Sequence, residues 1–137
     1  MFSPANARAM SAYRQVGVQS MVDSASPQQL IKMLFDGLLA SINAARGAIE
    51  RGDISEKVRH ISKAIRILQE GLLGALDQEK GGELAGNLAS LYEYCTTQLT
   101  LANARNDARM VDEVANLVGT VAQGWTEITN APAPASA

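Results

Sequence analysis

At 137 residues the chain has room for one domain with a real core and too little for two. Its 47% hydrophobic content with only 4% aromatic points to a core of Leu, Ile, Val and Ala, and a lone Cys95 excludes a disulfide scaffold. Twelve basic and 14 acidic side chains are interspersed for a net charge of -2, no field for nucleic acid, and neither a membrane-length apolar run nor a signal-like segment is visible. A cytoplasmic (cytosolic) protein without nucleic-acid partner or direct membrane insertion is expected.

Residues 1–24 place Met10, Tyr13, Val16, Val18, Met21 and Val22 in a mixture of helical and alternating spacing around Gly17, with no capping signal. A segment of this kind takes its shape from the surface it lies on, and Met10, Tyr13 and Val16 can share one face of a short helix. It is expected as a loosely structured N-terminal arm that lies over a groove as a lid. Ser26, Pro27 and Gln29 then form a capping-box start for a helix over 27–51, with Ile31, Phe35, Leu38, Ile42, Ala45 and Ile49 on one face. Arg51-Gly52-Asp53 is a tight stop and restart, with Glu56 placed for a second capping box. A helix over 54–78 follows, its seam formed by Ile54, Val58, Ile61, Ile65, Leu68 and Leu72. Gly81-Gly82 breaks the pattern. Leu84, Leu88, Leu91, Cys95 and Ala102 rebuild it over 83–104, and Asp107 caps a last helix over 107–128 with the stripe Val111, Val114, Val118, Val121, Trp125 and Ile128. Short connections make sequential helices antiparallel, so residues 25–129 are expected as an all-α, up-down-up-down four-helix bundle. The Pro- and Ala-rich tail 130–137 is expected to be disordered.

Little in the chain points to catalysis. A dinuclear metal site in a bundle needs several inward glutamates and two Glu-x-x-His pairs, whereas the single histidine, His60, lies four residues after Glu56 and off the seam. Cys95 sits on an apolar stripe, where cysteine acts as a small hydrophobe. Phosphotransfer bundles carry an exposed histidine with a lysine three residues on, a spacing His60 and Lys63 share, but they typically place glycine after the lysine where this chain has Ala64 and Ile65. A solvated His beside a solvated Lys is the commoner arrangement. No catalytic residue, metal or cofactor is expected, with His60 phosphotransfer as the alternative.

Apolar side chains remain beyond the seams: Leu30, Met33 and Leu34 on the first bundle helix, Leu73 and Leu76 on the second, Tyr92, Leu99 and Leu101 on the third, Met110 and Leu117 on the fourth. Some of these merely widen core faces. Glycines 37, 47, 71, 74, 86, 119 and 124 lie within helices although each costs up to ~1 kcal/mol relative to Ala. Together they suggest grooves for another chain, entering as an amphipathic helix or extended strip.

The runs AYRQVGVQSMVDSASPQQLIKMLFDGLL (12–39), LDQEKGGELAGNLASLYEYC (76–95) and LANARNDARMVDEV (101–114) closely resemble the flagellin-specific export chaperone family FliS, with the match extending over about residues 10–128. The SASP start, the LFDG after it, the GGE-x-A-x-NL turn, the LY-x-Y pair, the AN-x-x-ND turn and the late Trp125 occur in the family's order. The resemblance implies a bundle that binds the C-terminal segment of flagellin, keeps it from polymerising early and delivers it to the cytoplasmic domain of the flagellar type III export gate, without nucleotide or metal. On that basis Leu30, Met33, Leu34, Leu73, Leu76, Tyr92, Leu99 and Leu101 are expected as the flagellin-binding groove. Met10, Tyr13 and Val16 are expected to act in lid closure and gate docking. Met10 stands where the family commonly has a branched aliphatic, and Cys95 where it has a larger apolar residue. Weak self-association into a homodimer is left open.

Overall fold

The computed structural model describes Phe2 and residues 7–130, so the expected tail lies, apart from Asn130, outside the described residues. Among these the chain is all-α, and the only extended pairing is an isolated antiparallel bridge between Phe2 and Leu76. The helices are α1 (Ala7–Val16), α2 (Gln19–Ser24), α3 (Pro27–Arg51), α4 (Ile54–Arg66), α5 (Gln78–Arg105) and α6 (Ala108–Asn130). Past Arg66, α4 continues without a break into a wider π-helical segment, Ile67–Leu73.

Local chemistry sets most of these boundaries. At the start of α3 the Gln29 amide donates to Ser26 Oγ at 3.2 Å, and Gln29 Oε1 accepts from the Ser26 amide at 2.7 Å, with Pro27 in the first turn. The helix stops at Gly52, whose φ of 71° and ψ of 22° favour a residue without Cβ. Asp53 Oδ1 accepts from the Glu56 amide at 3.1 Å. The Glu56 carboxylate does not close the second capping box; it faces Arg59 and His60. Gly82 interrupts α5 at φ 57°, ψ -134°, where the Gly81-Gly82 break was expected, and α5 begins earlier on an Asp77 cap. Asn106, at φ 52°, ends α5 in the left-handed region that asparagine tolerates.

α3 packs on α4 and α6, and α5 packs on α6, α4 and the π segment. Lys57 in the first turn of α4 reaches the end of α5, donating from Nζ to the Asn103 carbonyl at 3.1 Å and Asn106 Oδ1 at 3.2 Å. Arg46, late in α3, pairs with Asp112, early in α6, and Tyr94 and Gln98 of α5 meet Glu113 of α6. These pairings run neighbouring helices antiparallel and fit a helical bundle.

Two seams differ in phase from their sequence reading. On α4, Ile54 and Val58 are exposed, whereas Lys57, Ile61 and Ala64 are buried. The Lys57 stem lies in the interior because its ammonium finds two acceptors at the end of α5. On α5 the buried positions are Ala85, Ala89, Tyr92, Cys95, Leu99 and Ala102; Leu84 is exposed, and Leu88 and Leu91 are half-buried. The core face follows small residues with Tyr92 and Leu99, while Leu84 faces solvent and Leu88 and Leu91 lie at the margin of the core.

Candidate partner-binding surfaces

The N-terminal arm forms two short helices laid on the bundle. α1 packs against the π segment and α3, with Ala9, Ala12 and Tyr13 fully buried and Met10 and Val16 half-buried. α2 buries Val22 and starts at Val18, which supplies no side-chain cap. Helices this short are unstable alone, so their order comes from the surface beneath them. That surface is shaped by glycine. Val16 sits directly over Gly37, where a Cβ would collide with it, and Met33 lies against Gly17. A Cβ at Gly71 would come within 3.1 Å of Ala12 and 3.0 Å of Leu34. Two of the glycines expected to mark grooves thus lie under the chain's own arm. At the far end Phe2 packs edge-on against Trp125, ring centroids 5.5 Å apart, and its backbone bridges to Leu76.

Tyr13 is the innermost residue of the arm. Its hydroxyl is buried with no hydrogen-bond partner among the described residues, and burial pushes its pKa up to about 12. In this conformation it is inaccessible to any partner.

The expected groove residues divide into two groups. Leu34, Tyr92 and Leu99 are buried to 2% exposure or less, and Leu30 is at 9%. The premise that they lie off the helix seams is therefore corrected: they are core, because the α5 face is turned by one position and the arm covers α3. Met33, Leu73, Leu76 and Leu101 are half-buried and remain at the surface, Leu76 beneath Phe2.

Of Leu84, Leu88 and Leu91, which the spacing predicts on the core stripe, Leu84 is exposed and Leu88 and Leu91 are half-buried against the core margin. The Tyr94 hydroxyl donates to Glu113 Oε1 at 2.5 Å and Gln98 Nε2 donates to it at 3.0 Å, which fixes the antiparallel register of α5 and α6 and holds the Glu113 carboxyl below the usual carboxylate range. Leu117, Val121 and Trp125 of α6 are half-buried, and Ile128 is 66% exposed. A Cβ at Gly86, Gly119 or Gly124 would meet nothing within 4 Å. α5 and α6 thus carry a strip of exposed and half-buried apolar side chains with open space at their glycines, and Phe2 covers its Trp125 end. The signal that could have found it was the i, i+4, i+7 spacing of Leu84, Leu88 and Leu91 beside the equally regular Ala85, Ala89 and Tyr92.

The reactive candidates are engaged otherwise. His60 Nε2 lies 3.2 Å from Glu56 Oε2 and 3.3 Å from Arg59, so a phosphoryl group there would stand against a carboxylate. Cys95 is buried, and desolvation with the field of Glu113 pushes its thiol up to about 11, away from the reactive thiolate. Among the described residues no three His, Cys, Asp or Glu side chains gather as a metal site, and no helix is long and apolar enough to cross a membrane.

The described residues thus form a helical bundle whose N-terminal arm packs on its own surface and whose α5 and α6 leave apolar side chains exposed. The comparison with known sequences is more specific: the family described as Flagellar protein FliS matches residues 9–132, and the chain belongs to it. It is 49% identical over 123 residues to the flagellar secretion chaperone FliS of Salmonella typhimurium, covering 90% of this chain and 91% of that protein. It is 47% identical over 123 residues to the flagellar secretion chaperone FliSB of Pseudomonas aeruginosa (90% and 97% covered), and 42% identical over 126 residues to FliS of Escherichia coli (92% and 93%).

Proposed function

We propose that this flagellar chaperone is cytosolic, binds the C-terminal segment of flagellin while that segment is still disordered, prevents its premature polymerisation and brings it to the cytoplasmic domain of the flagellar type III export gate. The observation that carries this reading is the open α5–α6 strip, with Leu84 54% and Ile128 66% exposed beside uncovered glycines, in a chain of a chaperone family. A disordered cargo loses conformational freedom on binding, so a large apolar contact still gives a releasable complex. Neither nucleotide nor metal enters the mechanism. Cargo engages the open strip and then the rim formed by Met33, Leu73, Leu76 and Leu101; displacing the arm adds the area around Leu30 and Leu34.

The arm's second role is gate docking through Met10, Tyr13 and Val16. With Tyr13 fully buried in the free protein, docking through it requires the arm to leave the bundle, which ties docking to loading. Calorimetric titration with a flagellin C-terminal peptide tests the core of the proposal: saturable 1:1 binding is expected, and absence of binding contradicts it. Removing residues 1–18 should leave peptide affinity intact or slightly higher and abolish binding of the loaded complex to the gate domain. Tyr13→Ala removes the docking side chain and also a buried anchor, so it should both impair docking and loosen the arm.

A further inference from the structure

α1 presents two polar side chains to the bundle, and they act on its closure in opposite directions. The Gln15 amide lies against the Arg66 guanidinium; assigned with its oxygen toward those donors, the orientation that satisfies both groups, it accepts from Nε at 3.1 Å and from Nη1 at 2.8 Å. The single Nε–H is shared with Glu70 Oε2 at 3.2 Å, an i,i+4 ion pair that holds the guanidinium on α4 and leaves Nη1 as the donor given to Gln15 alone. Hydrogen bonds with one charged partner contribute more than neutral ones, so this pair favours the closed arm. Two residues earlier, Tyr13 carries its hydroxyl into the interior with no partner among the described residues. A hydroxyl taken from water without a replacement bond disfavours the state that buries it. In the open arm that hydroxyl returns to water.

We infer that the arm is a balanced clasp in which the Gln15–Arg66 pair holds it shut and the unpartnered Tyr13 hydroxyl keeps the closure weak enough for a ligand to reverse. The apolar contacts of the arm, Val16 over Gly37, Ala12 beside Gly71 and Phe2 on Trp125, would by themselves close it more tightly. This deepens the reading of the arm as a lid, and it concerns the free protein, with neither cargo nor gate present.

Amide hydrogen exchange on the full chain, resolved by peptide and followed by mass spectrometry, tests it. Tyr13→Phe should slow exchange of the α1 amides about tenfold, since the closed state no longer buries an unpaired hydroxyl. Gln15→Leu should speed it about fivefold to tenfold, and Arg66→Lys, which loses the two-pronged donor, should speed it less. The double variant Tyr13→Phe/Gln15→Leu should fall between the two single changes. Amides in the middle of α3 and α5 should exchange as in the parent protein, which separates an effect on the clasp from a general change in stability. Unchanged or faster α1 exchange in Tyr13→Phe, or no acceleration in Gln15→Leu, overturns the inference. A flagellin peptide that fails to bind contradicts the proposed function and does not alter these exchange rates, so the two readings fail separately.

Discussion

The arm side of the bundle and the α5–α6 side use the same materials, apolar side chains next to glycines within helices, but differ in what lies over them. On the arm side, Gly37 lets Val16 approach closer than a Cβ would allow and Gly71 leaves room for a tight contact with Ala12, so the glycines' helix cost is offset by packing within the free chain. On the α5–α6 side, Gly119 and Gly124 face open space and Leu84 is exposed, so the same cost has no return until another chain arrives. A glycine inside a helix thus marks a close approach without telling whose chain makes it. Here one set is filled from within, and the other is left open.

Substitutions at matched positions on the two sides sharpen that contrast. The largest effect is expected at the core positions that resemble surface ones in sequence. Leu99→Ala should destabilise the fold by about 2–5 kcal/mol in urea unfolding, whereas Leu88→Ala at the open strip should cost less than about 1.5 kcal/mol. Next, Gly37→Ala should push Val16 off α3 and destabilise the closed arm by about 1–3 kcal/mol, read as lost protection of α1 in hydrogen exchange. The same change at Gly119 should stabilise the protein by up to ~1 kcal/mol through helix propensity. Equal signs at the two glycines would break the comparison. The double change Leu84→Ser/Leu88→Ser should weaken flagellin-peptide binding by roughly tenfold, about 1.4 kcal/mol, with helicity and unfolding midpoint nearly unchanged. Unaltered binding would remove the strip from the cargo site.

The smallest effect is alkaline. Burial raises the Tyr13 pKa from 10.0 to about 12, so the unfolded or released arm loses its phenolic proton first. Closure is fully favoured below pH ~10 and declines as pH rises toward 12, amounting to less than about 1 kcal/mol by pH ~10.5. Cys95, raised from 9.0 to about 11, acts in the same direction on the bundle as a whole. Tyr13→Phe should therefore remove the alkaline loosening of α1 and leave that of the bundle.

What could be read from sequence followed how local the physics is. The Ser26 cap with Pro27 and Gln29, the Gly52 stop, the Asp53 cap and the break at Gly81-Gly82 each depend on a few adjacent residues, and each occurs where those residues place it. Helix phase depends on neighbours distant in sequence. Lys57 looks polar and external until its acceptors at Asn103 and Asn106 are known, and Ala85 and Ala89 signal burial less strongly than the leucines one position before them. Tyr92 and Leu99 are core for that reason, whereas Leu34 is buried where the arm lies over α3. α2 starts at Val18 without a side-chain cap, and α1 is held by packing on the π segment and α3, contacts that local sequence does not announce. The π-helical widening at Ile67–Leu73 has no counterpart in the seven-residue repeat, which runs through Leu68 and Leu72 unbroken.

The most direct test compares hydrogen exchange of the full chain alone and saturated with a flagellin C-terminal peptide. The account predicts that amides of α5 and α6 bordering Leu84, Leu88 and Val121 gain protection while those of α1 lose it, the open strip being covered as the arm is released. No binding, or binding that leaves α1 as protected as in the free protein, would contradict it.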